Sequence, residues 1–254
     1  MTNVPLPSRR SVDPDHGKLR AVHKHRSFAT PRAIGALILR EVTTMNSRSS
    51  GGYLWAIAEP VGGIALLTLI FSLGFRTPPI GVNFAIFYAT GMVPFTTYLG
   101  MAQRMSSTIS SSKALLAYPA VTFMDALLAR IFVVVMTQTI VAALIFTGIL
   151  MAMETRTDPQ IGGIVIAMLM AFSCGIAVGV MNCFLFSAFP LWEQLWSIIT
   201  KPLFIVSCIF FIFDAMPDQV QKILWYNPLV HVVGEMRKSF YPSYIGDYVS
   251  PTYV

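Results

Sequence analysis

Charge is what this chain has least of. Only 12% of its 254 residues are Asp, Glu, Lys or Arg, about half the share of an ordinary soluble domain. A soluble protein of this length needs a charged exterior, and this composition does not supply one. Cysteine is also sparse: Cys174, Cys183 and Cys208 stand singly inside apolar segments. They make no CxxC pair and no metal-ligand spacing, so they read as small packing residues rather than a disulfide framework or a metal site. No GxxxxGK(S/T) loop is present, which excludes ATP binding by a P-loop. HExxH and GxSxG are missing as well, and the acidic residues are scattered, so no catalytic residues and no metal are expected. The first 27 residues are polar and basic, without the apolar stretch of a secretory signal.

Long apolar runs are what the chain has instead. Between Asp158 and Glu193, 34 residues pass without a charge, and 77–103 and 131–153 are charge-free too. A membrane-crossing helix needs about 20 mostly apolar residues. With 55% hydrophobic residues and a mean hydropathy of +0.64, the chain reads as an all-α, polytopic integral membrane protein. Five spans are expected, at about 54–75, 83–103, 128–153, 160–188 and 195–213. Residues 1–29 read as a disordered basic tail. Residues 30–46 read as an amphipathic helix: Ile34, Leu37, Ile38, Val42 and Met45 recur at helical spacing, while Arg32, Arg40 and Thr43 fall elsewhere. It is too short and too charged to span, so it lies on the membrane surface or binds a partner.

Nine Lys/Arg precede the first span. Placing that end in the cytoplasm and alternating puts thirteen Lys/Arg inside against five outside. The expected amino terminus is therefore cytoplasmic and the turn Glu154–Asp158 external. After the fifth span, 223–234 is apolar but only twelve residues long and contains Pro228. Segment 214–243 accordingly reads as a re-entrant helix–turn–helix in the outer leaflet, with Trp225, Tyr226, Tyr241 and Tyr244 at the interface.

Charges near the membrane core need a reason. Glu59 either pairs locally or lines a polar path. Arg130 is expected to snorkel to the cytoplasmic face, with Asp125 on the same side. His231 and Glu235, four apart, read as a hydrogen-bonded pair or, in the alternative, as metal ligands. Gly175 and Gly179 form a GxxxG that permits close helix packing and marks a candidate dimer face.

Three stretches together resemble one family. They are Leu39-Arg40-Glu41-Val42 followed by Gly52-Tyr53-Leu54-Trp55-Ala56-Ile57-Ala58-Glu59-Pro60; Lys201-Pro202-Leu203-Phe204 with Ser207-Cys208; and Asn227-Pro228-Leu229-Val230-His231-Val232-Val233-Gly234-Glu235. Their order and spacing are similar to the membrane subunit of type-2 ABC exporters, specifically the capsular polysaccharide exporters of Gram-negative bacteria. Gly52, Glu59, Pro60, Asn227, Pro228, His231 and Glu235 are the motif residues. The resemblance implies a multi-pass inner-membrane permease with a cytoplasmic interfacial helix and a periplasmic re-entrant pair. It implies a homodimer that binds two copies of a separate ATPase, which carries the ATP and Mg, so that this chain needs no cofactor of its own. Periplasmic and outer-membrane export proteins are expected partners, and nucleic acid is not.

Coupling to the ATPase is expected through the loop 104–125, with Leu115, Leu116, Tyr118 and Phe123 at the contact and Arg40 and Glu41 nearby. A wide polymer path lined by aromatic groups would draw on Tyr53, Trp55, Phe84, Phe87, Tyr88, Phe95 and Tyr98; the alternative is that these rings face lipid or the interface. The family has six spans. No apolar stretch after Tyr241 makes a sixth here, so five crossings would leave the carboxyl end in the periplasm. The rival readings are an O-antigen or teichoic-acid-like polymer permease, a membrane-embedded polysaccharide assembly enzyme, and a scaffold of the export complex.

Overall fold

The computed structural model describes residues 29–47, 52–111 and 122–254. The basic tail, and with it most of residues 1–29, lies outside the described residues, as do Leu115, Leu116 and Tyr118. Among the described residues the chain is helical without strands. The long helices are α1 (Ala29–Ser47), α2 (Gly52–Gly74), α3 (Phe84–Ser106), α4 (Phe123–Ala152) and α5 (Ile161–Ala188). A 15-residue helix α6 (Trp192–Val206), a 3-10 turn (Phe213–Ala215), and two short helices, α7 (Asp218–Leu224) and α8 (Pro228–Phe240), follow.

By length and composition, Trp55–Gly74, Phe123–Ala152 and Ile161–Ala188 can each cross a membrane. At 23 residues α3 is about 34 Å long, but it carries Gln103 and Arg104 near its carboxyl end and is the central helix of the bundle. It packs on α2, α4, α5 and α8, and nearly every residue from Ala85 to Ala102 is buried or half-buried. Helix starts follow local chemistry. Asn83 caps α3 by accepting from the Ala85 N–H at 2.8 Å. Thr122 and Asp125 form a reciprocal capping box at the start of α4. That box gives the buried Asp125 carboxylate its role.

The pairing of α3 with α5 is made by small residues. A Cβ on Gly175 would stand 2.9 Å from the Tyr98 carbonyl oxygen, and one on Gly179 would stand 2.8 Å from that of Ala102. The GxxxG is therefore an internal packing face, not a dimer face as its pattern had suggested. Both obstacles are backbone and cannot swing away. Gly179→Val is expected to destabilise the permease by about 1–3 kcal/mol or more, read as a lower thermal midpoint in detergent; a native-like midpoint would show that α3 and α5 can part without cost.

The segment expected as the fifth span, about 195–213, departs from a continuous helix. α6 stops at Val206 after about 22 Å. Residues 207–212 then run non-helically, with Cys208 in the left-handed region at φ 58°. The chain turns into α7 and returns along α8, which packs against α3 and α5. Leu229, at the start of α8, shares a cluster with Phe95 and Tyr98 half-way along α3. At the other end of α8, Ser239 accepts at its carbonyl from Gln160, just ahead of α5. The two short helices thus form a helix–turn–helix whose second helix, α8, is packed into the bundle while α7 is largely exposed.

Candidate functional site

Two polar centres occupy opposite ends of this bundle. The first joins α1 to the ends of α3 and α4. Glu41 on α1 meets the Arg130 Nε at 3.2 Å and Arg104 at 3.9 Å. Arg130 also donates from Nη1 to the Arg104 carbonyl at 3.0 Å and from Nη2 to Ser111 Oγ at 2.7 Å. Its side chain is 9% exposed. The guanidinium ends among protein groups rather than in solvent: five donors in a planar fork can serve α1 and the carboxyl-terminal end of α3 at once. Ser111 immediately precedes 112–121, the heart of the expected coupling loop. Of the proposed coupling residues, Glu41 is in this cluster, Phe123 packs on the main core, and Arg40 is exposed on α1.

The second centre holds the hairpin. Asn227 accepts from the Leu229 N–H at 3.1 Å, capping α8, and donates from Nδ2 to the Val206 carbonyl at 3.2 Å, satisfying the end of α6. Pro228 occupies the first helical position, where its missing N–H costs nothing. One Asn–Pro pair therefore ends one helix and starts another. His231 does not pair with Glu235. Its Nε2 donates to the Trp225 carbonyl at 2.8 Å, and its Nδ1 accepts from the Ser250 N–H at 3.2 Å. A neutral ring with its proton on Nε2 satisfies both bonds, and no ring nitrogen is left for a metal.

Arg237 is the residue that sequence reasoning missed; it entered only the charge count of an external loop. It is fully buried. Its Nη1 and Nη2 donate at 2.8 Å to the carbonyls of Phe211 and Ile209, in the non-helical stretch after α6. The guanidinium stands 4.5 Å over the Phe87 ring, a cation–π contact. Beside it, burial pushes the Tyr248 phenol up to about 12 and holds Tyr244 well above the ordinary tyrosine range. These phenols stay neutral, so backbone dipoles and a ring carry the cation. One signal was available: Val230, Val233, Arg237 and Phe240 share a face of α8 at spacings of three and four.

The aromatic path candidates are dispersed. Phe87, Tyr88, Phe95 and Tyr98 are at most 4% exposed and pack between helices. Phe84 stacks on Tyr88, and Trp55 is 73% exposed on α2. The Tyr53 side chain lies outside the described residues. Of the motif residues in α2, which begins at Gly52, Pro60 is buried and Glu59 is exposed. A larger opening, about 820 Å³, lies between α3, α5 and α6, and Phe95 is the one path candidate on its wall.

Long apolar helices packed around the buried helix α8, with the ion-paired helix α1 at the other end, define a helical integral membrane protein. Residues 32–241 match the ABC-2 type transporter family, and the chain belongs to it. It is 32% identical over 224 residues to the polysialic acid transport protein KpsM of Escherichia coli, covering 87% of this chain and 86% of that one. Similarity extends to the capsule polysaccharide export inner-membrane protein CtrC of Neisseria meningitidis, 26% identical over 88% of this chain and 84% of that one. To BexB of Haemophilus influenzae, of the same description, the identity is 23% over 86% and 83%.

Proposed function

We propose that the chain is the permease subunit of an exporter that carries capsular polysaccharide from cytoplasm to periplasm across the inner membrane. Near full-length similarity to KpsM, at 32% identity, carries this reading. A separate ATPase binds ATP and Mg and supplies the energy; this chain has no catalytic site of its own. Two permeases and two ATPase subunits make the complex, which hands the polymer to periplasmic and outer-membrane export proteins. The amino terminus and the Glu41–Arg130 cluster face the cytoplasm, where positive charge is retained. The hairpin 214–243 dips into the bilayer from the periplasmic side, a course in which its polar backbone stays inside protein.

ATPase motion reaches the bundle through residues 104–125. Arg130 supports this route because it ties the end of α3, next to that loop, to α1 and α4. The test is deletion of the gene, followed by polymer assay on intact and lysed cells. Polymer trapped inside and absent from the surface is the expected result. Absence of polymer from both fractions would mean an assembly enzyme and would overturn the reading.

A further inference from the structure

We propose that the opening between α3, α5 and α6 is a binding site for an anionic glycan segment. The proposal rests on the export reading and names where the polymer is held. α6 is held near its two ends, the Asn227 bond to the Val206 carbonyl being one of the holds at its carboxyl end. At its start, Trp192 Nε1 donates to Asn182 Oδ1 of α5 at 2.9 Å. Near its end, the Phe204 ring meets Phe95 of α3 edge-on at 5.2 Å. No residue of α6 is buried between these points, and the gap there is about 820 Å³, within the range of about 300–1,000 Å³ for ligand pockets.

The chemistry of the walls selects the ligand. Ser106, Ser107, Ser110, Ser197 and Thr200 line the gap. Each gives its hydroxyl proton to a carbonyl of its own helical segment. Their oxygen lone pairs remain as acceptors, except that one on Ser107 already accepts from Arg130 Nη1 at 3.3 Å. A wall of acceptors suits a ligand rich in hydroxyl donors, and the Trp196 ring beside them gives a sugar face something to stack on. One cation, Lys201, projects on the same wall and pairs with no carboxylate among the described residues. The lining also holds Glu193, eight residues and about 12 Å away along the helix. Glu193 occupies the first turn of α6, where a carboxylate offsets the positive end of the helix dipole. Lys201, in mid-helix, has no such task and is available to an anion. The anion is a carboxylate or phosphate, borne by the sugars or by a lipid joined to the polymer.

Intrinsic tryptophan fluorescence of the full chain, in nanodiscs of zwitterionic lipid, tests the site. The probes are a sialic acid oligomer, an uncharged maltodextrin of equal length, and phosphatidylglycerol vesicles. The acidic oligomer is expected to shift the emission, and Trp196→Phe to remove that shift. Lys201→Met is expected to weaken the acidic oligomer about tenfold and leave the maltodextrin unchanged. Ser197→Phe, which fills the gap, is expected to weaken both. Unchanged affinities in Lys201→Met and Ser197→Phe would overturn the site. So would a Lys201-dependent response to phosphatidylglycerol with none to the oligomer, which would make it a lipid site. If gene deletion blocks export while both variants bind and export normally, the site falls and the export reading stands. If deletion leaves export intact, the export reading itself falls.

Discussion

Arg237→Met is expected to release the hairpin and abolish transport. Two carbonyls that now accept from a charged donor would be left inside the bundle. Hydrogen bonds to charged groups contribute about 1.5–3 kcal/mol each, and an orphaned buried acceptor costs about 1–3 kcal/mol. The contact with Phe87 adds about 1–2 kcal/mol. Against this stands the desolvation of a cation without a carboxylate partner, several kcal/mol that the substitution would relieve. We expect the first set to win by about 3 kcal/mol, because the Ile209 and Phe211 carbonyls lie where the helix has already ended and no other donor among the described residues reaches them.

The natural readout is Cys208, next to Ile209 and only 1% exposed. With Cys174 and Cys183 replaced by serine, Cys208 should resist maleimide in the parent and react in Arg237→Met. Arg237→Lys should fall between, since a single ammonium cannot fork to both carbonyls. Native protection and native export in the methionine variant would mean that desolvation outweighs the bonds and that the hairpin holds without them.

The second large effect is expected at the other end of the bundle. Arg130→Ala removes the ion pair to Glu41 and the bonds to the Arg104 carbonyl and Ser111 together. The last turn of α3 would then be tied to α1 only through the longer Glu41–Arg104 contact at 3.9 Å, and less firmly to α4. With the ATPase partner present, ATP hydrolysis should persist while polymer export falls about tenfold or more. Glu41→Gln should do less: it removes one partner of a largely buried ion pair but leaves the bonds from Arg130 to α3 in place. Glu41→Lys should do more than Glu41→Gln, because it sets a third cation beside Arg130 and Arg104. Parallel loss of hydrolysis and export in Arg130→Ala would assign the cluster to folding or ATPase binding rather than to transmission.

Most of the architecture was legible because lipid is a demanding solvent. A run such as 159–192 admits few structures other than a buried or membrane-crossing helix, since backbone groups must be satisfied within the segment. The helices at 29–47, 123–152 and 161–188 follow from charge-free length, spacing and caps. That a short helix rather than a long one follows Asn227 was legible from a brief apolar run broken by Pro228. The motif residues were legible as a pattern, but their roles were not: that Asn227 serves two helices depends on Val206, twenty-one residues earlier, coming to lie beside it.

What composition and order determined by themselves was therefore the class of protein, the rough limits of helices such as 123–152 and 161–188, and the family. The tertiary structure decided which polar groups meet. Arg130 turns inward because Glu41 and Ser111 lie within its reach. His231 is drawn to Trp225 and Ser250 rather than to Glu235 by where the carboxyl-terminal segment folds back. Gly175 and Gly179 serve α3 rather than a second subunit. Arg237 changes from one more external charge into the centre of the hairpin. Apolar burial depends on each residue's own character and shows in any window of sequence, whereas a hydrogen bond depends on two atoms arriving within about 3 Å, which only the packed chain can bring about.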